Sequence, residues 1–217
     1  MIDLHTHTVF SDGVLIPAEL ARRARVAGYR ALAMTDHADD SNLEFIIDNV
    51  SRVTEKYSPY AGLDLFCGVE ITHVPPGLIS GLVVRARERG ARIVVVHGET
   101  VAEPVEQGTN LAAIEAGVDI LAHPGLITPE EVRLAAERGV ALELTTRKGH
   151  SLTNGHVAAL ARQYGARLVI NNDAHEPGDL VGAEMRRKVA LGAGLSPDEY
   201  REAEENSCAI LRRVMGV

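Results

Sequence analysis

The sequence predicts an α/β protein built on a parallel sheet, and three observations carry that expectation. Short β-branched or leucine-rich runs alternate with helical patterns along most of the chain. Five of those runs finish on a histidine: "DLHTH" at His7, "AMTDH" at His37, "VVHGE" at His97, "ILAHP" at His123 and "VINNDAH" at His175. No Gly-x-Gly-x-x-Gly follows the first run, so a dinucleotide-binding doubly wound sheet loses support. Strand–helix alternation implies right-handed βαβ units. Seven repeats fit either a doubly wound sheet or a barrel. In a parallel barrel the strands point their C-terminal ends at one face, which gives the five histidines a common cause.

The expected strands are 2–6, 31–36, 63–71, 92–97, 118–122, 140–145 and 167–172. Between them the spacing of apolar residues predicts helices over 17–28, 42–57, 77–90, 110–117, 129–139 and 154–165. Gly28, Gly90, Gly117, Gly139 and Gly165 each stand just past the last apolar position, where glycine can take the left-handed turn that ends a helix. Ile16-Pro17 is a partial helix start and Thr128-Pro129 a full one. Residues 179–217 read as further helices packed on the barrel, with Ser196 before Pro197 as a cap. No linker or low-complexity tract divides the chain, so 1–217 is expected to form one domain.

Composition narrows the function. The chain has 217 residues, 46% hydrophobic and only 4% aromatic, with no tryptophan, so its core must rest on aliphatic side chains. A formal net charge of −8 argues against stable binding to nucleic acid or to an anionic membrane. Cys67 and Cys208 form neither a metal spacing nor a disulfide framework, which makes a reducing cytoplasm the expected location. "MIDLHTH" has no basic segment followed by an apolar one, so no signal peptide is expected, and no apolar run approaches ~20 residues.

His5 and His7 are two apart, as are Asp173 and His175, so on a strand each pair would face one way. Glu70 ends "LFCGVE" and Asp12 lies in the loop after strand one. The converging set is His5, His7, Asp12, His37, Glu70, His97, His123, Asp173 and His175. Imidazole and carboxylate suit Zn²⁺, Mn²⁺ or Fe²⁺, and nine ligands exceed what one ion takes. Two or three ions fit; three would leave a net positive centre that attracts phosphate. Glu143 alternates inward in "ALELT" and, with Glu99, is a candidate to orient ligands. "TTRKGH" places Arg147, Lys148 and His150 at the barrel mouth, where they are candidates to grip substrate. His73 and His156 lack the strand-end pattern and are expected at the surface or behind the ligands, the other role open to His150.

The chain also resembles the polymerase and histidinol phosphatase (PHP) family through "DLHTHTVFSDG" at 3–13, "MTDH" at 34–37, "GVEI" at 68–71, "VVHGE" with "LAHPG" at 95–99 and 121–125, and "NNDAH" at 171–175. The resemblance runs from residue 3 to about residue 178. It implies a distorted (βα)7 TIM-like barrel with a trinuclear metal centre. By motif, His5, His7, Glu70 and Asp173 hold one ion; Asp12, His37 and His175 hold a second; His97, His123 and a shared Glu70 oxygen hold the third. Asp12 stands where many members have histidine, and Asn172 where serine is common. The chain is also shorter than typical histidinol phosphatases.

The expected function is therefore metal-dependent hydrolysis of a small phosphorylated metabolite, a phosphomonoester, by hydroxide bound between ions. The alternatives are a phosphodiesterase or nucleotide phosphatase of the same family, or a metal-dependent amidohydrolase. Amidohydrolase barrels have eight strands and often a lysine ending strand four, whereas Lys56, Lys148 and Lys188 lie on no expected strand. A metal-free scaffold like the ribonuclease P protein subunit lacks the ligands that are intact here. A polymerase proofreading module suits neither the charge nor the absence of a polymerase region.

Overall fold

The computed structural model describes residues 1–216. Its first half runs β1 (Ile2–Asp3), α1 (Pro17–Val26), β2 (Ala31–Met34), β3 (His37–Ala38), α2 (Leu43–Ala61), β4 (Asp64–Ile71) and α3 (Pro76–Arg89). The second runs β5 (Ile93–His97), α4 (Thr109–Ala116), β6 (Ile120–Ala122), α5 (Pro129–Arg138), β7 (Ala141–Thr145), α6 (Asn154–Tyr164), β8 (Leu168–Asn171), α7 (Ala183–Gly192) and α8 (Pro197–Met215). The strands pair in parallel in the order β1-β2-β4-β5-β6-β7-β8, with β3 beside β4. Because β4 pairs β2 through residues 64–67 and β3 through 70–71, β2 and β3 share one place in the sheet. The sheet thus has seven positions and curls into a nearly closed barrel.

The expected strand 31–36 breaks at Thr35 and Asp36 because both side chains serve the neighbouring loop. Thr35 Oγ1 accepts from Thr6 N (3.1 Å), and Asp36 accepts from Thr8 N (2.7 Å) and from the Ser11 hydroxyl (2.8 Å). Asp36 therefore fixes the segment that carries Asp12. Two helix starts are reciprocal caps, Thr128 with Glu131 and Ser196 with Glu199. Ile16 supplies no side-chain cap, and α1 begins on Pro17.

Strand alternation sorts the core into two layers. Ile93, Val95, Ile120, Ala122, Ala141 and Val169 fill the barrel interior, while Val94, Val96, Leu121, Leu142 and Ile170 pack outward against helices. Ile210 and Leu211 of α8 join the inner cluster and plug the end of the barrel opposite the strand C-termini. Each fully buried Val, Leu or Ile side chain contributes roughly 1.5–3 kcal/mol. No helix among the described residues is long and apolar enough to cross a membrane.

Closure is irregular. Between β1 and β8 an isolated bridge pairs Thr6 with Ala174, flanked by His7 N to Ala174 O (2.9 Å) and Asp173 N to His5 O (3.0 Å). Below it, side chains replace the ladder. Leu4 N donates to Asn171 Oδ1 (2.9 Å) and Asn172 N to Asp3 Oδ1 (3.2 Å). The fully buried Arg186 of α7 donates to Ile2 O (2.8 Å) and to Ile170 O, one carbonyl on each side of the seam.

Candidate metal centre

The inward phase of the strands delivers several site residues directly. His97 continues Ile93 and Val95, Glu143 continues Ala141, and Glu70 is out of phase with the outward Val69 and Ile71. At the seam the expected alternation gives way. β1 ends at Asp3 and β8 at Asn171. His5 and His7 are brought together by the irregular segment around the Thr6 bridge, with ring centroids 5.1 Å apart. Asp173 and His175 lie beyond β8, where Asp173 takes φ +53°. His123 also has positive φ (+27°), an uncommon conformation for a residue with a Cβ and one that clusters at functional sites. Gly98 permits the β5 and β6 loops to touch: a Cβ there would meet Ala122 O at 2.3 Å. That contact sets His97 beside His123, with rings 4.5 Å apart and edge to face.

All nine expected ligands converge. His7, Asp12, His37 and His175 each offer one ligand atom within 4.8 Å of the others, and so do His5, His7 and Glu70, and His5, His123 and Asp173. Glu70 sits between groups, with Oε1 3.2 Å from His5 Nε2 and 3.8 Å from His123 Nε2, and Oε2 2.7 Å from His37 Nδ1. Asp173 Oδ1 is 3.2 Å from His7 Nε2 and Oδ2 3.5 Å from His123 Nε2. Asp12 Oδ1 lies 3.1 Å from His175 Nε2 and 3.5 Å from His37 Nε2. His5, His7, Glu70, His97, His123 and Asp173 are buried, whereas the Asp12 side chain is 56% exposed. The centre is deep at one end and open at Asp12 and His37. There it meets a cavity of ≈350 Å³ lined by Asp39, Asn42, Thr72, His73 and Glu103 as well. A larger depression of ≈640 Å³ lined by Asp48, Arg52, Arg87, Arg89 and Arg92 lies far from these groups, and its charges include the Arg89–Asp48 pair at 2.5 Å.

Unpaired atoms show that cations fit. Among the described residues, His5 Nε2, both His7 ring nitrogens, Glu70 Oε1, His123 Nδ1, Asp173 Oδ1 and His175 Nε2 are buried without a hydrogen-bond partner. Each unsatisfied buried group costs roughly 1–3 kcal/mol, so together they rival a domain's entire stability of about 5–15 kcal/mol. Divalent ions are the partners that imidazole nitrogen and carboxylate oxygen share.

The electrostatics are those of a tight donor set. Burial pushes Glu70 and Asp173 towards the neutral acid, but the surrounding histidines, His5 first, outweigh it and hold both well below the usual carboxylate range. Burial likewise opposes the charged form of His5, yet Glu143, Glu70 and Asp173 raise its pKa. His7 goes the other way, down to about 3, through burial and its neighbour His37. Burial and His123 lower His150 to about 4.

The supporting residues divide. Glu143 is fully buried and its Oε2 lies 2.8 Å from His5 Nδ1. Glu99 corrects expectation: Oε1 turns away and accepts Gly108 N (2.9 Å) and Asn110 N (3.0 Å), tying down the start of α4. Arg147 reaches the centre, donating to Asp173 O (3.1 Å) and lying against the His175 ring at Nδ1. Lys148 is exposed and makes no hydrogen bond or ion pair among the described residues. His150, rather than standing at the mouth, is buried against His123, with stacked rings 4.3 Å apart. His156 Nε2 binds Ile127 O (2.8 Å), a structural contact. Two participants lie outside the sets singled out from the sequence, namely Asp36, next to His37, and Glu103, in a loop. Glu103 approaches His97 Nε2 (3.2 Å), His73 Nε2 (3.3 Å) and His150 Nε2 (3.4 Å).

The chain is similar to several known proteins. A Methanocaldococcus jannaschii protein, uncharacterized protein MJ1295, is 51% identical over 199 residues, 91% of each chain. Ribonuclease P protein component 3 of Methanosarcina mazei is 28% identical over 93% of this chain and 84% of its own. A Thermoanaerobacter sp. protein named probable phosphatase Teth514_1060 is 28% identical over 91% of this chain and 88% of its own. Among solved structures, a Listeria monocytogenes protein provisionally assigned as the histidinol phosphatase HisK superposes with TM-score 0.60 over 82% of this chain and 97% of its own, at 13% identity. The PHP domain family model matches residues 3–96, the segment that supplies His5, His7, Asp12, His37 and Glu70. The chain belongs to the PHP domain family.

Proposed function

We propose that this chain is a metal-dependent phosphoric ester hydrolase acting on a small phosphorylated metabolite, a phosphomonoester, with three divalent ions (Zn²⁺, Mn²⁺ or Fe²⁺) at the barrel mouth. His5, His7, Glu70 and Asp173 would hold the first, Asp12, His37 and His175 the second, and His97, His123 and a Glu70 oxygen the third. The observation that carries this reading is the set of buried, partnerless ligand atoms on six residues. Ions held there supply Lewis acidity towards phosphoryl oxygens and water of lowered pKa.

The chain's own side chains do the rest. Glu143 keeps the His5 ring turned so that Nε2 faces Glu70 and Asp173. Asp36 holds the loop that presents Asp12 at the open edge. Arg147 is 27% exposed, and its Nη2 makes no hydrogen bond among the described residues, leaving a donor for a phosphoryl oxygen. Substrate enters through the cavity beside Asp12 and His37.

The RNase P relative raises a second role, RNA binding. The net charge of −8 and the intact ligand set favour catalysis instead. Stoichiometric metal analysis with a panel of phosphomonoesters, phosphodiesters, nucleotides and amides tests the reading. Chelator-sensitive turnover of monoesters is expected; cleavage of amides alone, or RNA binding without turnover, overturns it.

A further inference from the structure

Three rings from three different loops meet at the deep wall of the centre: His97 at the end of β5, His123 after β6, and His150 in the 3₁₀ turn that follows β7. We propose that His150 is a further protein ligand of the ion assigned to His97 and His123, which makes that site a three-histidine site. The inference rests on the metal-centre reading above and adds a ligand to it.

Position comes first. One ring nitrogen from each of the three lies within 4.8 Å of the other two, and all three residues are buried. Tautomer follows from the partners of the far nitrogen. His150 Nδ1 sits 2.8 Å from Thr100 Oγ1, and His97 Nδ1 sits 3.2 Å from Gly98 O. A carbonyl can only accept, so His97 Nδ1 carries a hydrogen and Nε2 is the nitrogen left to meet an ion. Thr100 Oγ1 already accepts from Ala102 N (3.3 Å) and has acceptor capacity for the His150 Nδ1–H. A histidine whose outer N–H is so engaged is set up to ligate through the other nitrogen. Both Nε2 atoms also face a single carboxylate, Glu103, at 3.2 and 3.4 Å. Two imidazoles turned to one anion mark a spot where positive charge is wanted. A substrate-gripping role explains none of this, because His150 is buried, stacked on His123, and is not among the residues that line the open cavity.

Two measurements test it. Crystals of the wild-type protein soaked with Zn²⁺ should show an anomalous peak about 2.1 Å from His150 Nε2, the usual Zn–N distance. In solution, His150→Ala should lose about one Zn²⁺ equivalent, and Thr100→Ala should weaken that site by ~10–100-fold, the usual effect of removing an orienting partner. His156→Ala should keep every equivalent. A zinc peak with no contact to His150, or a folded His150→Ala protein that retains full stoichiometry and affinity, overturns the proposal while leaving the other ligands standing. Failure of the wild-type protein to bind any zinc would instead overturn the metal centre itself. If His150→Ala does not fold, as judged by circular dichroism, the wild-type anomalous map decides.

Discussion

Glu143 Oε2 lies 2.8 Å from His5 Nδ1, and neither side chain has any exposed surface. Asn171 Nδ2 donates to the same oxygen at 2.9 Å, so the carboxylate is held from one side and holds the imidazole on the other. Such outer partners fix the tautomer of a ligating histidine. Glu143→Ala should therefore weaken metal binding by ~10–100-fold at the site that uses His5, read by chelator competition. Unchanged affinity in a folded variant would reduce Glu143 to a packing role.

Elemental analysis of the purified protein should give close to three transition-metal ions per chain, and chelation should abolish hydrolysis. Stability should fall as well. An ion present at 1,000 times its Kd contributes about 4 kcal/mol, which in a chain of this size moves the Tm by roughly 8–16 °C. At most one ion per chain with activity retained would end the trinuclear reading.

Glu70 stands within 3.8 Å of His5, His7, His37 and His123. Glu70→Gln should lower metal content by more than one equivalent and remove activity. His73→Ala should lose at most the contact with Glu103, because its ring is half-exposed and 3.3 Å from that carboxylate. Equal metal loss in the two variants would mean that Glu70 does not bridge.

Arg147→Ala should lower kcat/KM by ~10-fold or more, about 1.4 kcal/mol of transition-state binding. Most of the effect should fall on KM if the guanidinium grips the phosphoryl group. Arg147 also touches Asp173 O and His175 Nδ1, so metal content must be measured in the same preparation. Wild-type kinetics would return Arg147 to a structural role. Lys148→Ala, at an exposed side chain, is the control and should be silent.

Arg186 is fully buried, and its guanidinium reaches Glu204 as well as both seam carbonyls. Arg186→Met would leave Ile2 O and Ile170 O without that donor. A loss of ~3 kcal/mol in urea unfolding is expected, in the range for breaking a buried charged network. Arg201→Ala, which removes an exposed pair with Asp198, should change stability by less than ~0.5 kcal/mol.

Much of the centre could be read from the sequence because period-2 alternation is a local property. His97 and Glu143 inherit their direction from Val95 and Ala141 two positions earlier, and Glu70 from alternation with the outward Val69 and Ile71. Where the backbone leaves the strand that logic stops. His150 sits in a 3₁₀ turn and Glu103 in a loop, so only the folded chain shows that they meet His97. Glu99, two residues past His97, turned out to hold a helix start, since the backbone N–H groups of Gly108 and Asn110 both donate to its carboxylate. The split of β2 from β3 depended on Asp36 serving Thr8 and Ser11, contacts some 25 residues apart that no periodicity encodes.

The irregular seam also sets when the centre can exist. His5 and His7 stand on one side of it and Asp173 and His175 on the other, joined by the Thr6–Ala174 bridge. Leu4 and Asn171, the pair just beneath, are 167 residues apart. Closing a loop that long carries an entropy cost near 4.5 kcal/mol before any constant term, and few backbone hydrogen bonds repay it there. The donor set on either bank is therefore incomplete until the final strand arrives. In folding terms, ions held as proposed would act as a late staple between the two sides of the seam. A truncation that stops before β8 would keep most of the histidines and still have no first site, and a metal added early in refolding would meet only half of its ligands.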